Sequence, residues 1–442
     1  MKEESARTMK TTRRPQVRSR FTAAALAAVL GPTALVASPS VSSASTLSAS
    51  TKGPLGPGKT LTYLYFTNGP DLTATKALIA KFDKQTGDKV SLQVVPFANL
   101  NEEVQARISA GDPPDVLQTN APQIIGSDLV NLGAALGSSW VKSLSPSLIV
   151  GGEYDGEVVG LPNQLTVMGP FVNVTMFKKA GVPVPGVTSR WTWPQMIADV
   201  EKVQRVNHTP FGFSTDLAGD RIANVLAAYG TFIYGANGHG TMNTADATKA
   251  LTMYTGLLEH NEISKDAWIA GGENYVDGAS EFLAGEAPVL LSGSWQVAGF
   301  AAQKMPFQWT AVPNPCMVYC GGGPGGNYMV AFKKSSDPAL AEEFIKFMSE
   351  PVNQAYMSVV SATIPSAIAL EKPGAIAYKP DIRSIMNVFN QAAALMPGAF
   401  LASESNTGYT QTTLTLLNEV TKVITGKATV AQAVAATQAA AR

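Results

Sequence analysis

From Leu61 onward, apolar and polar positions switch between a period of two and a period near 3.6, and the switches fall at turn residues. Leu61-Thr62-Tyr63-Leu64-Tyr65-Phe66 reads as a strand closed by the turn Asn68-Gly69-Pro70. Asp71 is placed to cap a helix whose apolar face is Leu72, Leu78, Ile79 and Phe82, and Gly87 stops it. Val90 to Phe97 is a second strand, Leu100 to Ala110 a second helix ending at Gly111, and Asp115-Val116-Leu117 a short third strand. Strand and helix in alternation predict right-handed crossovers and a parallel sheet, so the fold class is α/β. In such sheets ligands sit beyond the carboxyl ends of strands. That rule selects two loops, Thr67-Asn68 after the first strand and Gln118-Thr119-Asn120 after the third. An amide donates and accepts at once, as a hydroxyl does, so Asn68, Gln118 and Asn120 suit a neutral polyol. The alternative for each is a turn or capping role, Asn68 above all.

Composition changes this picture little. With 442 residues, 45% hydrophobic and 15% charged, the chain is globular and long enough for two packed bodies. The N-terminus stands apart. Arg13, Arg14, Arg18 and Arg20 precede an apolar run from Phe21 to Ala37, broken at Gly31-Pro32, and small residues follow to Ser42-Ser43-Ala44. Residues 1–44 are therefore expected to be a secretory signal peptide, with a membrane anchor as the alternative. Arg13-Arg14 hints at the twin-arginine route, leaving Sec or Tat export open. Residues 45–59, rich in Ser, Thr, Gly and Pro, are expected to be a flexible linker.

The full chain is neutral, with 33 basic and 33 acidic residues; residues 1–44 hold seven of the former and two of the latter, leaving 26 against 31. A mildly acidic mature chain without a Lys/Arg cluster argues against a nucleic-acid partner. The two cysteines, Cys316 and Cys320, are separated by three residues, and in an oxidising compartment a disulfide is expected. Two free thiols or half a metal site are the alternatives; His208, His239 and His260 are scattered, none at ligand spacing to the cysteines, and no metal or cofactor is expected. No cysteine lies near the end of the signal, so the usual lipoprotein acceptor is missing.

Several stretches then carry a resemblance. Gly111-Asp112-Pro113-Pro114-Asp115-Val116 resembles a G-x-x-P-D-V element, and Gly160-Leu161-Pro162 resembles a y-G-L-P element. Phe171 to Val182 is similar to Y-Y-N-K-x-x-F-K-K-A-G-L, and Trp191 to Met196 to T-W-x-E-L. Phe282 to Val289 with Ser292-Gly293-Ser294-Trp295 is similar to F-x-x-G-x-A-A-M followed by G-S-W. Ala339 to Met348 and Gly426 to Val434 resemble two further helix motifs. In series these resemble the solute-binding proteins of bacterial carbohydrate ABC transporters, the maltose-binding-protein-like family. The chain departs from that pattern in three ways: it lacks a tryptophan in the first-strand loop, has Phe171-Val172 where the family has Tyr-Tyr, and has no lipobox.

The resemblance implies a two-lobed periplasmic-binding-protein type II fold with three interlobe crossovers. One lobe would comprise 60–165 and 320–365, the other 166–319 and 366–442. It implies an extracytoplasmic, monomeric binder that closes on a small-molecule carbohydrate, with a non-sugar solute as the alternative, and delivers it to ABC permease subunits. Gly160-Leu161-Pro162 becomes the first crossover, with Asn163 and Gln164 as ligand candidates beside it. Gly321 to Gly326 lacks the Lys-Ser/Thr of a phosphate loop and reads as the second crossover, with Asn327 and Tyr328 facing the cleft. Trp295 follows the strand Pro288 to Leu291 and a Gly-Ser turn, at the position of a sugar-contacting tryptophan, and its flat face can cover the C–H face of a pyranose. Asp216 is a candidate acceptor for paired hydroxyls. Trp193, between a capping Thr192 and Gln195, is expected to pack at a helix start. An enzyme is disfavoured: no G-x-S-x-G, no H-E-x-x-H and no nucleophile with a paired histidine occurs, although two facing carboxylates of a glycosidase are not visible in a sequence.

Overall fold

The computed structural model describes residues 58–67, 71–235, 238–242, 245–303, 305–372 and 374–441. The expected signal peptide, its anchor alternative, most of the linker and Asn68 lie outside the described residues.

The first strands are β1 (Thr60–Tyr65), β2 (Lys89–Val94) and β3 (Val116–Thr119), with β2 and β3 both pairing in parallel with β1. The connecting helices Asp71–Thr86 and Leu100–Ala110 stop where Gly87 and Gly111 take positive φ, 82° and 77°. Strand β2 ends earlier than its apolar run suggests. Pro96 offers no N–H to a ladder, and Phe97–Asn99 turns into a 3₁₀ segment that carries Phe97 out of the sheet. A second correction concerns Gln118 and Thr119, which belong to β3 itself and are buried, not to the loop beyond it.

After the small hairpin of β4 (Glu153–Tyr154) and β5 (Glu157–Val158) comes β6 (Gly160–Asn173), buried along its whole length. The remaining strands are β7 (Phe213–Thr215), β8 (Val289–Gly293), β9 (Trp309–Ala311) and β10 (Pro324–Ala331). The sheet runs β2-β1-β3-β10-β6-β8-β7, with β9 also on β6. The first half of β6 pairs antiparallel with β10, and its second half with β8 and β9. One strand thus serves both halves of the sheet.

Each half has its own cores. Tyr63, Phe82, Phe344 and Phe347 pack edge-on under helices Asp71–Thr86 and Pro338–Ser349, with ring centroids 5.1–5.4 Å apart. The other face of the same strands holds Leu64, Phe66, Val104, Leu117, Val330 and Phe332. In the second half, Phe171 meets Phe300, Trp309 and Phe389. A separate core joins Trp193, Leu226, Tyr254 and Leu416, drawn from the middle and the C-terminal end of the chain. Trp193 sits as expected, buried at the start of helix Trp193–Asn207, with Thr192 and Gln195 forming a reciprocal capping box.

The Pro-Asp-Val element has a physical role. The buried Asp115 carboxylate accepts from Thr62 N at 2.7 Å and Thr62 Oγ1 at 2.8 Å, and from Ser335 Oγ at 2.6 Å, Ser336 N at 2.8 Å and Ser336 Oγ at 3.0 Å. It ties β1 and β3 to the segment after β10. Burial alone would raise this carboxyl, but the Ser335, Thr62 and Ser336 hydrogen bonds outweigh it and hold it below its ordinary value. A depressed carboxylate stabilises the fold above its unfolded pKa of about 3.9 and loses that contribution as pH falls through the folded value. Asp115→Asn is therefore expected to cost about 1–3 kcal/mol at pH 7. In urea unfolding, the gap to the parent should narrow towards pH 3; a constant gap would remove the carboxylate as its source.

Candidate ligand-binding cleft

Three segments run side by side where the halves of the sheet meet: the first half of β6, the start of β10, and Ile364, whose backbone exchanges both hydrogen bonds with Leu165. The glycines before and within β10 are there for close approach. A Cβ on Gly322 would lie 2.0 Å from Met168 O, and one on Gly321 2.6 Å from Leu395 O. Cys316 and Cys320 form the expected disulfide just upstream, with Cα atoms 4.4 Å apart.

Over these segments opens a cavity of about 800 Å³. Thr67, Phe97, Asn120 and Gln123 line it from the first half of the sheet. Asp220, Arg221, Tyr275, Asp277, Trp295, Glu404 and Tyr409 line it from the second, and Thr166, Asn327 and Tyr328 from the connecting strands. Two contacts join its two sides: Gln123 Nε2 donates to Glu404 O at 3.2 Å, and the Phe97 and Tyr275 rings meet edge to face at 5.6 Å.

The most ordered wall is built on Asp216. This carboxylate is wholly buried and accepts from Arg221 Nε at 3.1 Å and Nη2 at 2.8 Å, from Ser292 Oγ at 2.8 Å and from Gly278 N at 3.1 Å. Burial pushes it up from its ordinary value against the pull of Arg221, and neighbouring Asp277 adds to the rise. Arg221 gives its remaining arm to Asp220 at 3.0 Å. Burial works against its charge, but Asp220 and Asp216 outweigh that and hold it protonated. The guanidinium lies 4.5 Å from the centroid of the Trp295 ring. One face of Trp295 is thereby taken.

Of the residues selected from sequence, Thr67, Asn120, Trp295, Asn327 and Tyr328 reach the cavity wall. Thr67 also donates to Asp71 at 2.8 Å, and Tyr328 Oη to Leu148 O at 2.9 Å. Gln118 does not reach it: its amide donates to Phe66 O at 3.0 Å and accepts from Tyr63 at 3.4 Å, bracing β1. Thr119 accepts from Ala121 N at 3.1 Å. Asp216 sits behind Arg221 as an anchor, away from the wall. Asn163 and Gln164 are buried in β6 beside the cavity, where Asn163 Nδ2 and both amide atoms of Gln164 lack a protein partner. Sequence reasoning missed Arg221, Glu404, Tyr409 and Tyr275. Arg221 alone carried a signal, a cation at a helix start five residues beyond Asp216. Among the described residues no three His, Cys, Asp or Glu side chains are grouped to hold a metal ion.

The family model described as bacterial extracellular solute-binding protein matches residues 67–355. The chain belongs to that family. A multiple sugar-binding protein of Streptococcus mutans is 22% identical, over 65% of this chain and 71% of its own. A galactooligosaccharide-binding protein of Bacillus subtilis is 24% identical, over 70% and 74%. An ABC substrate-binding protein of Listeria monocytogenes, solved with cycloalternan, superposes with a TM-score of 0.74 at 20% identity, over 86% of this chain and 97% of that one. The two-lobed α/β fold of solute-binding proteins is therefore the fold of this chain, and the cavity lies where its halves meet.

Proposed function

We propose that this protein binds a small carbohydrate, a mono- or oligosaccharide, between its lobes outside the cytoplasm and delivers it to an ABC permease by hinge closure, as a binder without catalysis. The observation that carries this reading is the cavity: about 800 Å³, walled from both halves of the sheet, with Trp295 on its wall among amides and hydroxyls. That volume is near the upper end of small-molecule sites, which run to about 1,000 Å³, and exceeds what one hexose needs. The relatives named for sugars and galactooligosaccharides support the same ligand class. The lobes are taken as 60–165 with 320–365 and 166–319 with 366–442, and residues 1–44 as an export signal.

Ligand contacts supplied by both lobes favour the closed form by their differential affinity. A saccharide present at about 100 times its Kd stabilises the folded protein by about 2.7 kcal/mol. A thermal-shift panel of mono- and oligosaccharides is expected to contain members that raise the melting temperature. Those members should also change tryptophan fluorescence saturably and remain intact on incubation. Time-dependent product would instead make the protein an enzyme.

A further inference from the structure

Two aromatic rings meet across the cleft, and among the described residues neither belongs to a hydrophobic core. Phe97 is 36% exposed, on the 3₁₀ segment that Pro96 turns out of the sheet. Its ring rests on that of the buried Phe66, just beyond β1, at 4.9 Å between centroids. The half-buried Tyr275 sits between Gly272, held at a left-handed φ of 63°, and Val276. Val276 is bridged to Leu217, whose N donates to Val276 O at 2.9 Å, one residue beyond the buried Asp216. Each ring is thus fixed to its own half of the molecule by its own neighbours. Where they meet, the centroids are 5.6 Å apart and the planes cross at 89°, the edge-to-face arrangement that ring quadrupoles favour.

We infer that Phe97 and Tyr275 form a latch, a contact that exists only while the two halves are together and that sets how long the cleft stays shut, not which ligand it holds. This rests on the reading of the cleft as a site that closes. Any motion that parts the halves must break the pair, because Phe97 moves with Phe66 and Tyr275 with the bridge to Leu217. The free energy of the contact therefore belongs to the closed form alone. Gln123 Nε2, donating to Glu404 O at 3.2 Å, adds a second bond of the same kind. An edge-to-face pair of this geometry shifts a closed-to-open ratio about two- to tenfold. Losing it lowers the apparent affinity by one common factor whatever the ligand, since that factor is the change in the fraction of closed molecules. A side chain that touched the ligand would instead discriminate between ligands.

The test is single-molecule FRET on the whole chain, with one dye on each half, joined to stopped-flow release of every saccharide that the thermal-shift panel finds to bind. Phe97→Ala and Tyr275→Ala are each expected to lower the closed-to-open ratio about two- to tenfold, and the double variant no further, because either change removes the same contact. Tyr275→Phe keeps the ring and should match the parent. Release should quicken by one factor for all bound saccharides. Phe97 is exposed, so its variant reports even where Tyr275→Ala folds poorly. A parent-like ratio in Phe97→Ala overturns the latch. So does a loss of affinity that differs between saccharides at an unchanged ratio, which would make the rings ligand contacts and leave the saccharide reading intact. A panel without binders overturns the saccharide reading, while the FRET ratio still decides the latch.

Discussion

Asp216→Ala is expected to destabilise the protein by about 3–5 kcal/mol, because it strands a buried guanidinium. Arg221 would lose two of its three carboxylate contacts and keep only the half-exposed Asp220. Ser292 Oγ and Gly278 N would lose an acceptor in the interior as well. The effect should reach the cleft, since the guanidinium that Asp216 fixes is the one that lies against Trp295. Chemical unfolding checks the first part. Removing both charges, as Asp216→Leu with Arg221→Met, should cost less than Asp216→Ala alone, because the one carboxylate that then loses its partner, Asp220, is half-exposed to water. A single variant that loses under about 1 kcal/mol would show that water reaches Arg221 and that the pair is not the wall's anchor.

Trp295→Ala is expected to weaken saccharide binding at least about tenfold, or 1.4 kcal/mol. It removes an aromatic ring from the cavity wall, and it frees the guanidinium that lies against that ring. The fold should lose only about 1 kcal/mol, the worth of that cation–π contact, since the ring is half-buried and outside the principal cores. Gly293→Ala gives an independent check with the indole retained. A Cβ there would lie 2.1 Å from the Trp295 ring, so the ring must tilt away from its place. Both variants should lose affinity in a fluorescence or calorimetric titration with a saccharide that binds the parent. Parent-like affinity in both would take Trp295 out of the site.

What the sequence determined by itself is local. The alternation from Leu61 to Leu117, the Gly87 and Gly111 helix ends, the Thr192 capping box and the Cys316–Cys320 closure each depend on residues a few positions apart, and the structure contains all of them. The order of the family motifs added the fold, because they span most of the chain. Trp295 reaches the cavity wall for a similar reason: a strand end followed by a Gly-Ser turn places its residue beyond the carboxyl end of that strand wherever the other strands lie.

The tertiary structure decided which polar groups are available. Gln118 and Asn120 are both amides near one strand end, yet Gln118 is spent on Phe66 and Tyr63, more than fifty positions away, while Asn120 opens into the cavity. Asp216 looked like an acceptor for ligand hydroxyls, and Arg221 and Ser292 claim it first. Glu404 has no distinguishing neighbours in sequence; folding brings its carboxyl to the cavity wall near Asp220 and Arg221, more than 180 positions away. Backbone conformation is set largely by near neighbours and by the periodicity of apolar side chains, so it can be read in order along the chain. A side chain's free valence depends on what folding brings opposite it, and that is a property of contacts between distant segments.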